Sequence, residues 1–153
     1  MTLTQLKYEG IELEGIDASN YVECSTYIKD KIIPETLRSA GWDSSSEKPI
    51  DSIMSYSKNS NIKQCVDQLV AKTPDSFAIV SYGIHIQKAL SIIEIFKSTE
   101  SGKPLHQFNK LDTFVEVKPG RNELLDRKVN VPILITIFSK QNIKTLTKFT
   151  KQS

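Results

Sequence analysis

The stretch from Phe77 to Lys97 constrains the fold more than any other part of the chain. Its first four residues, Phe77 to Val80, form an unbroken apolar run of the kind found in strands buried on both faces. The residues after Gly83 repeat apolar side chains at every third or fourth position, which is the spacing of one helix face. That face consists of Ile86, Ala89, Leu90, Ile93 and Phe96. A buried strand, a glycine turn and an amphipathic helix together predict half of a strand–helix–strand unit.

The turn at Gly83 also has the chemistry of an anion site. Glycine gives the backbone freedom there, and a helix that begins at this point presents backbone N–H groups without partners in the helix. Lys88 lies one turn further into the helix. Helix N-termini and lysine side chains both attract anions, so the turn predicts a phosphate-binding site.

The N-terminal third of the chain predicts one helix and a linker. Residues 1–18 alternate weakly between apolar and polar side chains, which leaves a strand and an extended arm equally open. Asn20 is a plausible N-cap, with Glu23 three residues later, for a helix from Tyr21 to about Ile33. The polar, glycine- and proline-containing segment 41–49 is typical of a loop and is the best boundary in the chain. We therefore expect an N-terminal extension over residues 1–49.

The pattern from Ile50 onward predicts strand, helix, strand, helix, strand, strand. Ile50 to Tyr56 is the first strand, and the apolar positions from Ile62 to Val70 fit a helix without a miss. Leu105–Lys118 and Val131–Phe138 are predicted to form a long hairpin around Gly120. This order indicates an α/β domain over residues 50–140, followed by a C-terminal tail, 141–153.

Charge is unevenly distributed along the chain. The net charge is +2, but residues 1–50 carry five Lys and Arg against nine Asp and Glu, whereas residues 51–153 carry fifteen against nine. A basic segment, residues 51–153, that follows an acidic N-terminal region suggests that the basic segment binds an anionic partner. The alternative is that these charges only solvate the surface. No apolar run approaches the length of a membrane span, and the N-terminal residues do not have the basic-then-apolar pattern of a signal sequence, so export is not expected. The two isolated cysteines are typical of a reducing compartment.

Catalytic and metal-binding patterns are not evident. His85 and His106 are the only histidines, and neither stands near an acid or a cysteine at a diagnostic spacing. There is no nucleophile elbow, no phosphate-binding loop with its lysine and no dinucleotide fingerprint. We expect no cofactor, no metal and no catalytic residue. A small α/β enzyme remains a distant alternative.

The basic residues are more informative as a set. The turns at Lys58 and Gly83 follow two neighbouring predicted strands, so both should lie at the edge of the sheet where ligands of open α/β sheets bind. A connected basic surface and a scattered, solvated set are equally compatible with these positions. The cations in question are Lys58, Lys63, Lys88, Arg121, Arg127 and Lys128.

The helix after Gly83 carries apolar residues outside its main face. At about 100° per residue, Ile95 points nearly opposite that face and Ile92 lies at its edge. A second apolar side in a small domain often packs against another chain. We therefore predict that Ile92 and Ile95 belong to a dimer interface.

The segment Gly83-Ile84-His85-Ile86-Gln87-Lys88-Ala89 resembles the glycine-x-x-Ile-x-Lys-Ala turn of Alba-superfamily nucleic-acid-binding domains. Within that superfamily the chain is most similar to the small RNA-binding subunits of yeast nuclear ribonuclease P and ribonuclease MRP. The similarity extends to Ser57-Lys58-Asn59, Asn61-Ile62-Lys63, Gly120-Arg121-Asn122-Glu123-Leu124 and Val131-Pro132-Ile133-Leu134. The N-terminal third matches more loosely.

The resemblance implies a fold and a function. The fold would be an Alba-like two-layer sandwich with a mixed four-stranded sheet and an N-terminal helical extension. Members of this group are not catalytic: each pairs with a second Alba-type subunit, and the heterodimer binds a helix–internal-loop–helix element of the RNA. The RNA-binding residues carried over are Lys58, Asn59, Lys63, Gly83, Ile84, His85, Gln87, Lys88, Arg121, Arg127 and Lys128.

The same resemblance implies the cellular setting. It indicates a nuclear and nucleolar protein that works with other ribonuclease P and MRP subunits in transfer-RNA 5′ maturation and ribosomal-RNA processing, and in some yeasts with telomerase RNA. A DNA-coating Alba protein is the main alternative. The sequence departs from archaeal Alba in having one lysine, Lys58, at the first turn and bulky side chains at His85 and Gln87. It also lacks the stronger basic charge of the DNA-coating proteins.

Overall fold

The computed structural model describes residues 5–13, 16, 20–35, 52–72, 76–118, 127–140 and 150–152. Seven strands and three helices lie in these segments. In chain order they are β1 (Gln5–Tyr8), β2 (Ile11–Leu13), α1 (Tyr21–Tyr27, continued as a π-helical turn over Ile28–Ile32), β3 (Ser52–Ser55), α2 (Ile62–Lys72), β4 (Ser76–Tyr82), α3 (Ile86–Lys97, preceded by a 3₁₀ turn over Gly83–His85), β5 (His106–Lys118), β6 (Arg127–Ser139) and β7 (Thr150–Gln152). The order predicted from Ile50 onward is confirmed.

All seven strands belong to one mixed sheet. Six of them follow the order β2-β1-β5-β6-β4-β3, in which only β3 and β4 are parallel. The predicted hairpin of β5 and β6 is present, with Lys118 opposite Arg127. β7 pairs with residues 107–109 of β5, on the side of β5 where β1 pairs with residues 114–117. The N-terminal and C-terminal strands therefore lie beside the same central strand.

Helices α2 and α3 cover one face of the sheet. The apolar side chains of both helices pack on alternate residues of β4 and β6, and three phenylalanines form the centre of this core. The rings of Phe77, Phe96 and Phe138 lie with their centroids 5.3–5.7 Å apart. The helical patterns predicted around Ile62–Val70 and Ile86–Phe96 mark most of the faces that are buried here, but Leu90 and Val70 are exposed, and Ile92 is buried in the place predicted for Leu90.

Helix α1 packs on the opposite face. The predicted N-cap is confirmed, because the side-chain oxygen of Asn20 accepts a hydrogen bond of 3.1 Å from the backbone N–H of Glu23. Cys24, Ile28 and Ile32 are buried in one core with the other alternate residues of β4, β5 and β6. The sheet therefore has helices on both faces and forms the middle of three layers.

Two features of the predicted fold need correction. The sandwich has three layers where two were expected, because the apolar stripe of α1 supplies a cover for the second face. The sheet has seven strands where four were expected, because the hairpin β1–β2 and the short β7 add to the edge of β5. The division into 1–49, 50–140 and 141–153 stays a prediction. Among the described helices, none has the length and apolar character needed to cross a membrane.

Candidate nucleic-acid interface

Two turns lie side by side at the carboxyl ends of β3 and β4. These strands run parallel, with Ser55 opposite Val80, so the segments that follow them emerge at the same end of the sheet. The first turn contains Lys58 and leads into α2. The second turn contains Gly83 and leads into α3. This is the juxtaposition that the sequence predicted for the two turns.

Serine and asparagine side chains hold the first turn. The backbone N–H of Ser57 donates to the Ser60 hydroxyl at 3.0 Å, and the N–H of Asn59 donates to the Ser57 hydroxyl at 3.2 Å. Asn61 then caps α2, since its side-chain oxygen accepts from the N–H of Gln64 at 3.0 Å. These bonds fix the backbone around Lys58 while its ammonium group stays exposed.

The second turn depends on glycine. Gly83 has a φ of +53°, a conformation in which a side chain is strained. A Cβ at this position would also lie 3.3 Å from Cγ1 of Val131 in β6. The chain then makes one 3₁₀ turn that leaves the Ile84 side chain 69% exposed. The backbone freedom predicted at Gly83 is confirmed.

His85 joins the two turns. Its Nδ1 accepts a hydrogen bond of 3.0 Å from the backbone N–H of Lys58, 27 residues earlier in the chain. The ring is only 8% exposed and packs edge-on against Tyr82 and against Tyr21 of α1, at centroid distances of 5.0 and 4.8 Å. The N-terminal helix therefore supports the same histidine that fixes the position of Lys58.

This environment favours the uncharged imidazole. Burial lowers the pKa of His85 below its usual range, and the nearby charge of Lys58 lowers it further. A doubly protonated ring would also have no acceptor at Nδ1 for the Lys58 N–H. The folded chain therefore holds fewer protons at His85 than the unfolded chain between the two pKa values. The contribution of the neutral His85 ring to the stability of the folded chain should be complete above the unfolded pKa of about 6.5. It should be lost as the pH drops through the lower pKa that His85 has in the folded chain.

A His85→Asn variant is expected to lose this pH dependence. The side-chain oxygen of asparagine can accept from the Lys58 N–H but does not titrate in this range. Urea unfolding at pH 7.5 and pH 5 should therefore show a smaller loss of stability at the lower pH for the variant than for the native chain. His85→Phe, which keeps a ring but has no acceptor, should cost about 1 kcal/mol at both pH values. An unchanged pH dependence in His85→Asn would mean that another group is responsible.

Two grooves flank the exposed Ile84 side chain. The larger, of about 610 Å³, runs between the second turn and the start of β6, and Lys58, Gly83, Ile84 and His85 are among the residues that line it. The smaller, of about 280 Å³, is lined by Lys58, Ile84, Gln87 and Lys88 together with Ile62 and Ser91. Lys58 borders both grooves. The two turns thus form one continuous surface.

The structure brings some of the predicted RNA-binding residues together and leaves others apart. Lys58, Gly83, Ile84, His85, Gln87 and Lys88 line the grooves. Asn59, Lys63 and Lys128 are exposed but line neither groove. Arg121 lies outside the described residues, and so does the side chain of Arg127, whose backbone begins β6. The role of each residue in RNA binding stays a prediction.

The two predicted interface residues lie in different environments. Ile92 is 0% exposed and belongs to the core between α3 and the sheet, whereas Ile95 is 46% exposed. Of these two residues, Ile95 is the one that presents a surface another chain could cover. Leu90 is equally exposed, at 45%, and at 100° per residue it lies 140° away from Ile95 around α3.

Several residues at the site had not been identified from the sequence. The groove residues Glu116, Asn130, Val131 and Pro132 reach it through the pairing of β5 with β6. Tyr21 of α1 lies behind the groove, where it packs against His85. The positions of the groove residues depend on strand register over long sequence separations, for which no local pattern gives a signal. Among the described residues, no three His, Cys, Asp or Glu side chains form a group that could hold a metal ion.

Comparison with known proteins places these observations in a family. The Alba family profile matches residues 52–115, which include both turns and the strands that position them. The chain is also 37% identical over 150 residues to the ribonucleases P/MRP protein subunit POP6 of Saccharomyces cerevisiae. That match covers 90% of this chain and 92% of the yeast protein, so it extends well beyond the Alba region.

Proposed function

Since the chain carries an Alba domain and belongs to the family of the ribonucleases P/MRP protein subunit POP6, we propose that it is a non-catalytic, RNA-binding subunit of ribonuclease P and ribonuclease MRP. It binds a helix–internal-loop–helix element of the RNA as a heterodimer with a second Alba-type subunit. Through these particles it supports transfer-RNA 5′ maturation and ribosomal-RNA processing in the nucleus and nucleolus. Telomerase RNA is a further ligand of the same kind.

The observation that carries this proposal is the extent of the match to the yeast subunit. An Alba region alone would be compatible with many nucleic-acid-binding proteins, because one fold serves many functions. The identity of 37% continues over 150 residues and so includes α1, which packs against the second turn through Tyr21 and His85. The likeness therefore includes the element that supports the candidate site.

The geometry of the two turns supports RNA binding through the backbone. Lys58 and Lys88 border the same small groove, and the first turns of α2 and α3 begin beside it. Lysine ammonium groups bind phosphates, and contacts to phosphate and sugar supply affinity without reading sequence. Selection of an internal loop would then come from the shape of the RNA. Duplex DNA, the ligand of the alternative hypothesis, lacks that shape.

Replacing Lys58 or Lys88 with Ala is expected to weaken RNA binding by about 1 kcal/mol each, the size of a charge-assisted contact. Each variant should also make the slope of log affinity against log salt shallower by somewhat less than one unit, because one phosphate contact releases fewer counterions. A salt titration of the heterodimer with a loop-containing ribonuclease P/MRP RNA element measures both quantities. Duplex DNA of the same length serves as the competitor.

Lys103→Ala provides a matched control. Lys103 is also an exposed lysine, but it follows the far end of α3 and pairs with Glu100 at 3.5 Å. Its removal should change neither the affinity nor the salt slope. If Lys58→Ala and Lys88→Ala bind like the native protein at every salt concentration, or if duplex DNA competes as well as the RNA, the proposed function is wrong.

A further inference from the structure

The hairpin of β5 and β6 extends past the end of β4. β6 begins at Arg127, but its pairing with β4 begins only at Ile133. The chain leaves the sheet at the end of β4, at Gly83, whose φ is +53°. At about 3.3 Å per residue, residues 127–132 form roughly 20 Å of strand edge with which no other described strand pairs on the β4 side. The larger groove lies between this edge and Ile84.

The backbone of this edge points toward the groove at alternate residues. In an antiparallel pair of strands, residue pairs joined by two backbone hydrogen bonds alternate with pairs that have none, whose backbone groups point outward. Thr113 lies opposite Pro132. Pro132 has no N–H, and the N–H of Thr113 donates to the Asp112 carboxylate at 2.9 Å, so this pair is of the second kind. Further along β6, Asn130 and Lys128 therefore direct their N–H and C=O groups away from β5.

The residues of this edge are exposed in the isolated chain. Lys128, Asn130 and Pro132 are all exposed, and the side chain of Val129 is 36% exposed. Backbone N–H and C=O groups at strand spacing are a template on which another strand can add. An added strand would take the place that a longer β4 would occupy, and its backbone would pair with groups that otherwise face water.

The lining of the larger groove favours a peptide over RNA. Lys58, where the larger groove meets the smaller one, is the one lysine or arginine among the described residues that line it. Ile84, 69% exposed, and Pro132 provide apolar surface beside the strand edge. RNA phosphates need cations, whereas a strand that adds to a sheet edge needs backbone partners and pockets for alternate side chains. The volume of about 610 Å³ leaves room for a short extended segment.

The second Alba-type subunit is not the expected occupant. The predicted interface residue Ile95 lies nine positions after Ile86, the first residue of α3. At about 1.5 Å per residue, this places it roughly 14 Å further along the helix. The larger groove lies at the other end of α3, beside Ile84. A third protein is therefore expected at the edge of β6.

We propose that the larger groove binds an extended segment of a further protein subunit of the ribonucleoprotein, which adds to β6 as a strand; the inference rests on the proposed function. The backbone of the segment pairs with Asn130 and Lys128, and one of its apolar side chains packs against Ile84. The RNA phosphates stay at the smaller groove, with Lys58 and Lys88. Main-chain hydrogen bonds supply the affinity, and the apolar contact fixes the register of the segment.

Hydrogen–deuterium exchange of the backbone N–H groups in residues 127–132 tests this proposal. The exchange rates are compared in the heterodimer alone, in the heterodimer bound to the loop-containing RNA, and in a ribonuclease P particle assembled from its RNA and all its protein subunits. The N–H groups of Lys128 and Asn130 should exchange fast in the first two states. In the particle they should exchange at least roughly tenfold more slowly, because a strand then covers them.

Three other results would each overturn the proposed strand site. Slow exchange in the heterodimer alone would mean that this chain or its Alba-type partner already covers the edge. Slow exchange on addition of the RNA alone would assign the larger groove to RNA. Fast exchange in the assembled particle would mean that no protein segment adds to β6.

An Asn130→Pro variant removes one proposed hydrogen bond but no hydrogen bond of the fold. The Asn130 N–H points away from β5, as the missing N–H of Pro132 does, so proline should be tolerated there. Native and variant heterodimers with different isotope labels then compete for incorporation into the particle. The variant should be incorporated roughly fivefold less well, which is the size of one hydrogen bond.

Asn130→Ala is the matched control, because it removes the side chain and keeps the backbone N–H. It should be incorporated about as well as the native chain. Equal incorporation of Asn130→Pro and the native chain, or an equal loss in Asn130→Ala, would overturn the assignment of the backbone at this residue. Thermal unfolding checks that both variants are folded, and the exchange comparison needs only the native chain.

These results are separable from a failure of the proposed function. If Lys58→Ala and Lys88→Ala weaken RNA binding as expected but residues 127–132 still exchange fast in the particle, only the strand site is wrong. If the heterodimer neither binds the loop-containing RNA nor enters the particle, the proposed function is wrong and the strand site falls with it.

Discussion

Replacing Ile92 with Asp is expected to lower the free energy of unfolding by about 4 kcal/mol or more, a large part of the stability of a domain of this size. Ile92 is completely buried in the core formed by α2, α3 and the sheet. A carboxylate there would have to be buried without a partner or remain protonated, and either state is costly. Urea unfolding followed by circular dichroism measures the loss.

Ile92→Val is the matched control for this substitution. It removes one methylene group from the same position and should cost about 1 kcal/mol, typical of this exchange in a core. A comparably small effect of Ile92→Asp would show that the side chain reaches solvent, and would make it available to a partner chain. The large effect expected instead means that charged substitutions at Ile92 report on folding and are unsuitable for mapping an interface.

Replacing Ile95 with Asp is expected to weaken pairing with the proposed second Alba-type subunit by about 2 kcal/mol or more, which corresponds to at least a roughly thirtyfold loss of affinity. Ile95 is nearly half exposed, so the isolated chain should tolerate the change. In the heterodimer the same carboxylate would be desolvated against an apolar surface. Co-purification of the co-expressed subunits, followed by measurement of the dissociation constant, gives the effect.

Leu90→Asp tests the direction of the interface. Leu90 has almost the same exposure as Ile95 but lies on the other side of the buried stripe of α3. If the partner covers the Ile95 side, Leu90→Asp should leave pairing within about 0.5 kcal/mol of the native value, as expected for a surface change away from the contact. The reverse outcome, in which only Leu90→Asp weakens pairing, would place the partner on the opposite side of the helix.

The elements that the sequence predicted correctly are those with a local signal. The helix from Ile62 and the helix after Gly83 each repeat apolar residues at helical spacing, and both bury most of the predicted face, with Val70 and Leu90 as the exposed exceptions. The cap at Asn20 is likewise a pattern of neighbouring residues. The surface of α1 that packs has the same helical spacing, with Cys24, Ile28 and Ile32 on one side. The sequence does not predict what this side packs against, because an amphipathic pattern identifies a buried face but not the surface that covers it.

The features that the sequence did not predict depend on partners far away in the chain. Residues 5–8 were equally compatible with a strand and an arm, and their pairing with residues 114–117 of β5 makes them a strand. The position of His85 at the turn was readable, but its bond to the Lys58 N–H needs the folded arrangement of two strands. The same holds for Glu116 and Asn130, which enter the larger groove through the register of the β5–β6 hairpin.

The two terminal strands have a consequence for self-association. β5 is thirteen residues long, and an uncovered strand of that length would be a template on which other chains could add and aggregate. β7 protects residues 107–109 and β1 protects residues 114–117, while the interval between them carries Lys110 and Asp112, paired at 3.7 Å. Charged side chains at such an interval discourage edge-to-edge addition. Deleting β1 or β7 would therefore expose unpaired backbone groups of β5. Chains truncated in this way should form oligomers or precipitate at concentrations at which the full chain stays in solution.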